Sequence, residues 1–144
     1  EFSKILLERN CKMIFVGDGI KRKWFAKAIR SNPSIELIPY QDKNIVSNLI
    51  LRSCGAVIFL KQEALMYGFP SKIPELRING VKILSNYSHG DALYMDYNGV
   101  PGIFSVELGE MDKFFESDNK FSFSGLDVKT WISEWDSLLN NIGK

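Results

Sequence analysis

The sequence predicts an α/β protein with a doubly wound, three-layer parallel sheet of the Rossmann-like kind, folded as a single domain. Three observations carry this expectation. Short continuous apolar runs, Met13-Ile14-Phe15-Val16, Ala56-Val57-Ile58-Phe59-Leu60 and Val81-Lys82-Ile83-Leu84-Ser85, have the length and character of strands covered on both faces. Segments with helical spacing alternate with them, as at Trp24, Phe25, Ala28 and Ile29. No repeat or linker interrupts the alternation, which is the pattern of a parallel sheet with crossover helices.

Taken in order, Ser3 is positioned to cap a first helix running to about Arg9. The strand at 13–16 exits through Gly17-Asp18-Gly19 into a helix over about 21–30, which Ser31-Asn32-Pro33 breaks. Ile35-Glu36-Leu37-Ile38 is a second strand, ending at Pro39-Tyr40-Gln41-Asp42. Ile45, Leu49, Ile50 and Cys54 mark the apolar side of the next helix, before the strand at 56–60. Tyr67-Gly68-Phe69-Pro70-Ser71-Lys72-Ile73-Pro74-Glu75 then turns into a short helix that Gly80 can end. Residues 85–101 form a long turn-rich loop with a short aromatic helix or strand, of the kind often functional at a ligand edge. A strand at 102–106, a short helix through Met111, Phe114 and Phe115, and a last amphipathic helix capped by Asp127 complete the chain. At least four parallel strands are expected, with 56–60 and 81–84 adjacent or nearly so in central positions.

The totals exclude several classes. The 144 residues suit one domain, and 45% hydrophobic with 24% charged residues is ordinary for a soluble protein. A net charge of +1 gives no electrostatic case for nucleic acid or an anionic membrane surface. Cys11 and Cys54 lack metal-ligand spacing and read as reduced, buried thiols of a cytoplasmic protein. No apolar run reaches the ~20 residues that span a bilayer, and Glu1-Phe2-Ser3-Lys4 does not read as a signal peptide. The absence of an initial Met fits a piece of a longer chain.

The candidate chemistry centres on residues 68–75. Lys72 offers a cation for phosphate and Glu75, one turn on, a carboxylate for hydroxyls, a combination suited to a sugar nucleotide. The bland alternative is an exposed ion pair of little consequence. Gly17-Asp18-Gly19 is half a dinucleotide fingerprint, but Arg22 stands where the third glycine would fall, which favours a plain tight turn. A phosphorylatable receiver needs clustered acids after the first strand, where only Asp18 is found, and an aspartate after 56–60, where Lys61-Gln62 follow. His89, the only histidine, sits in a turn, with no serine or cysteine nucleophile at recognisable spacing and no carboxylate cluster for a metal. Trp131 and Trp135 read as helix packing.

The order of 13–19, 35–40, 53–60, 68–75 and 80–85 resembles the C-terminal, donor-binding domain of GT-B glycosyltransferases of the retaining, sucrose-synthase-like superfamily. The resemblance covers nearly the whole chain and rests on a Val-Gly-Asp-Gly turn, a Gly-Phe turn before a glutamate-bearing helix, a closing glycine, and a terminal tryptophan-containing helix. It implies a domain that binds a UDP- or GDP-linked sugar as substrate, without a separate cofactor, catalytic residue or metal of its own. Glu75 would hold the ribose hydroxyls; Gly68, Phe69, Pro70, Ser71 and Lys72 would lie against the diphosphate and sugar; Pro39 and Tyr40 would border the base. Tyr67 stands where many members carry a further glutamate. The implied partner is an N-terminal acceptor domain, which would also carry any peripheral membrane association, and without it transfer is not expected. The alternative is a noncatalytic flavodoxin-like or receiver-like regulatory module.

Overall fold

The computed structural model describes residues 2–67 and 70–118. The expected helix capped by Asp127, with Trp131 and Trp135, lies outside the described residues. Among the described residues twelve elements follow one another: α1 (Phe2–Glu8), β1 (Met13–Val16), α2 (Arg22–Ile29), β2 (Ile35–Ile38), α3 (Lys43–Arg52), β3 (Ala56–Ile58), α4 (Gln62–Tyr67), α5 (Lys72–Ile78), β4 (Ile83–Ser85), α6 (Ala92–Tyr97), β5 (Ile103–Ser105) and α7 (Met111–Glu116). The chain divides into two compact units between Leu49 and Ile50.

In the first unit β1 and β2 pair in parallel, Met13 opposite Ile35 and Val16 opposite Ile38. The α2 helix packs its inner face on this pair, the Phe25 ring meeting Phe15 edge-on at 4.6 Å. Burial is thin. Ile14, Phe15 and Val16 are all exposed, which corrects the expectation of a strand covered on both faces. The physical reason is that a two-stranded sheet has little area to cover, and neither α2 nor α3 buries a residue fully.

The second unit is the better packed. Its sheet runs in the order β3-β4-β5, all parallel, with Ala56 opposite Ile83 and Ile83 opposite Ile103. The expected adjacency of the 56–60 and 81–84 runs is therefore met, but β4 alone is central and β3 is a half-buried edge ending at Ile58. Ile83 and Ile103 gather Leu65 of α4, Ile73 and Leu76 of α5, and Leu93 and Tyr97 of α6 into one core. Lys82, Leu84 and Phe104 alternate with them and so point to the other face. There α7 packs Phe114 against Phe104, ring to ring at 5.8 Å.

Gly80 ends α5 as expected. Its φ of +67° lets its N–H reach the Arg77 carbonyl at 2.8 Å while Val81 N–H reaches Leu76 at 2.9 Å, the paired bonds of a left-handed helix terminus. Three local expectations are corrected. Ser3 lies inside α1, not before it. Cys54 is exposed and outside α3, because the helix stops at Arg52. The α4 helix was not anticipated, although Glu63, Ala64, Leu65 and Met66 are all strong helix formers.

Gly55 is the tightest point of the second unit. A Cβ there would fall 2.6 Å from Cζ of Phe114 and 3.0 Å from Cγ of Lys82. Gly55→Ala is expected to destabilise by about 1–3 kcal/mol through overpacking. Adding Phe114→Leu should recover part of that loss, because the clash is with the ring. Urea unfolding of the two single variants and the double variant measures the coupling; strictly additive losses would contradict the contact.

Candidate functional site

Lys72 and Glu75 occupy the first turn of α5. Ile73 and Leu76 are buried, and this helical phase turns 72 and 75 outward. Lys72 Nζ lies 2.7 Å from Glu75 Oε2, and both side chains remain accessible. An exposed pair of this kind contributes ~0–1 kcal/mol, so Lys72 can exchange its partner for a ligand at small cost. Pro74 is accommodated because backbone N–H groups of a first helical turn have no intrahelical acceptor. Pro70 accepts from the Ile73 N–H at 3.0 Å, and Ser71 precedes the helix without a side-chain cap.

The surroundings differ from expectation in one respect. The α4 helix stands between β3 and α5, so Lys72 and Glu75 do not lie on the first turn after a strand. Gly68 and Phe69 lie outside the described residues. Pro39 and Tyr40 belong to the first unit, at the exit of β2, where Tyr40 is 71% exposed. The structure thus brings together Lys72 and Glu75, with Ser71 and Pro70 beside them in the chain. It groups Pro39 and Tyr40 with the Gly17–Arg22 turn. Tyr40 N–H donates to Asp18 Oδ2 at 2.7 Å, and Arg22 Nε lies 3.3 Å from Asp18 Oδ1. Arg22 Nη1 donates to the carbonyls of Gly17 at 2.7 Å and Ile38 at 3.0 Å. A guanidinium therefore ties the carboxyl ends of β1 and β2 in the place where a dinucleotide fingerprint would have its third glycine.

The carboxyl edge of β3-β4-β5 carries polar groups that the sequence reading did not single out. Asn86 clasps Leu60, accepting from its N–H and donating to its carbonyl, both at 2.9 Å. Buried Asp91 accepts from Ser88 N–H at 2.6 Å, Ser88 Oγ at 3.1 Å and Gln62 Nε2 at 3.2 Å. Glu110 Oε2 accepts from Ser105 N–H at 3.0 Å, and the Ser105 hydroxyl donates to the Tyr87 carbonyl. These groups are consumed in shaping three strand-end loops. Their signal in the sequence was asparagine and aspartate in a turn-rich run, residues that bond nearby backbone. His89 is exposed at the loop tip, its ring 4.6 Å from that of Tyr94. Among the described residues, no three His, Cys, Asp or Glu side chains converge on a metal position.

The second unit also buries two phenols, Tyr87 and Tyr97. Tyr87 is pushed up to about 12, first by burial and then by Glu110 and Tyr94. Tyr97 is also pushed up to about 12, by burial against the opposing pull of Arg77. The Tyr87 hydroxyl has no hydrogen-bond partner among the described residues, whereas Tyr97 is bonded to Arg77.

No family model, curated protein or solved structure matches the chain.

The phenols generate a prediction. Unfolded phenols ionise near 10 while the native state keeps these two protonated to about 12. Stability should therefore fall as pH rises through that window, since the native state then binds more protons than the unfolded one. Tyr87→Phe should remove part of this alkaline loss and leave neutral-pH stability unchanged or higher, because its hydroxyl is unpaired. Tyr97→Phe should cost roughly 1 kcal/mol at neutral pH through its lost bond to Arg77. Urea midpoints at about pH 9 and about pH 11 test both, the variants controlling for lysine titration.

Proposed function

We propose that this chain is a doubly wound, Rossmann-like domain that binds a nucleotide sugar, UDP- or GDP-linked, as the donor half of a retaining GT-B glycosyltransferase. The observation that carries the reading is the accessible Lys72–Glu75 pair within the crossover between two adjacent parallel strands, β3 and β4. The glycine closure of α5 immediately before β4 supports it, as does the parallel pairing throughout. In this reading the Glu75 carboxylate accepts hydrogen bonds from the two ribose hydroxyls. Lys72 neutralises the diphosphate, with Pro70 and Ser71 beside it. The contribution to transfer is positional and electrostatic: the domain orients the donor and stabilises charge that develops on the departing diphosphate. In this reading the acceptor is held by a partner domain and not by the Lys72–Glu75 surface.

Charge-assisted hydrogen bonds contribute roughly 1.5–3 kcal/mol each. Glu75→Gln should accordingly weaken nucleoside diphosphate binding about tenfold or more, with a much smaller loss for a 2′,3′-dideoxy analogue. The fold should be unaffected, because the pair it breaks is exposed. Lys72→Ala should penalise the diphosphate more than the nucleoside, and less as salt rises. Calorimetric titration with a melting control reads all of these. Equal losses for ribo and dideoxy ligands would remove Glu75 from the ribose site, and no change with either substitution would favour a regulatory module.

A further inference from the structure

The charge of the chain is unevenly distributed. Residues 1–49 hold nine Lys and Arg against five Asp and Glu, a net +4, although the whole chain nets +1. Five of those cations, Lys21, Arg22, Lys23, Lys27 and Arg30, fall between residues 20 and 30, with no acidic residue among them. Arg22 is committed to the Gly17 and Ile38 carbonyls and to Asp18. Lys21, Lys23, Lys27 and Arg30 are exposed.

Apolar groups stand beside them. The α2 helix spends Phe25 on its own sheet, yet Trp24 is 69% exposed and Ile20, in the preceding turn, is wholly exposed. Lys23, Trp24 and Lys27 share the outer side of the helix, since positions three and four apart are neighbours there. Beside this surface opens a pocket of about 330 Å³, lined by Phe15, Val16, Trp24, Phe25 and Leu37 together with Lys21.

We propose that the α2 surface of the first unit binds an anionic lipid bilayer, with Ile20 and Trp24 entering the interface between the lysines. Three features select this occupant. Tryptophan favours the headgroup boundary, where its ring is half in apolar surroundings. Lysines near an anionic leaflet each add attraction within a Debye length of the surface. The apolar pocket with a cation on its wall suits an acyl chain beneath a negative headgroup. Nucleic acid fits less well, because a fully exposed isoleucine has no role in stacking on bases or pairing with phosphates. The proposal is independent of nucleotide-sugar binding and assigns membrane contact to this chain itself.

The test is sedimentation of the full chain with vesicles of phosphatidylcholine alone and of phosphatidylcholine with phosphatidylglycerol. Binding should require the anionic lipid and disappear at high salt. Lys23→Gln with Lys27→Gln should weaken it more than tenfold, about fivefold for each lysine. Trp24→Ser should weaken it too, and should abolish the blue shift in tryptophan emission that the unaltered chain shows on adding vesicles. All three positions are exposed, and circular dichroism confirms folding of each variant. No binding to anionic vesicles overturns the proposal, as does binding that the lysine pair does not affect. Preferential binding of a single-stranded oligonucleotide, undiminished by anionic vesicles, overturns it in favour of nucleic acid.

Discussion

A buried ammonium group ties the second unit together. Lys82 is 1% exposed, and its Nζ donates to the carbonyls of Phe114 at 2.6 Å and Ser117 at 2.9 Å. Burying a cation is costly unless its hydrogen bonds are replaced, and the carbonyls at a helix C-terminus supply both acceptors and a negative partial charge. The Phe114 ring lies under the same ammonium at 4.9 Å. These contacts constrain three elements together. The α7 helix ends where its carbonyls can reach Lys82, β4 keeps its register to present that lysine, and position 55 remains glycine to admit the ring. The central strand is then closed from both sides, with Ile83, Leu84 and Ser85 all without exposure.

This arrangement explains which parts of the fold were legible in the sequence. Elements defined by local pattern were found: the apolar runs became parallel strands, Gly80 ended a helix, and the 85–101 loop held its short aromatic helix. Elements whose state depends on tertiary partners were not. Lys82 within Val81-Lys82-Ile83-Leu84-Ser85 gave no sign that its charge would be buried, because the compensating carbonyls lie more than thirty positions along the chain. The exposure of 14–16 was likewise hidden, since a continuous apolar run reports what a strand could bury and not what the unit has available to cover it.

The candidate site was legible to a similar depth. The spacing of Lys72 and Glu75 foretold their meeting on one helical face. The loop-shaping roles of Asn86 and Asp91 were not foretold, because each bonds a partner that only folding brings near, Leu60 and Gln62 respectively. Average charge misled in another way. A net +1 spoke against anionic surfaces, yet it averages a basic first unit with an acidic remainder. Electrostatic attraction at a surface depends on charge within about a Debye length, so the local sum is the relevant one.

The central claim is that an exposed cation–carboxylate pair in a parallel-strand crossover serves a nucleotide sugar. Calorimetric titration of the unaltered chain with UDP, GDP and ADP, and with the sugar conjugate of each, tests it most directly. The account predicts saturable binding of a UDP or GDP ligand in preference to the ADP ligands. A folded chain that binds none of the six ligands would contradict it.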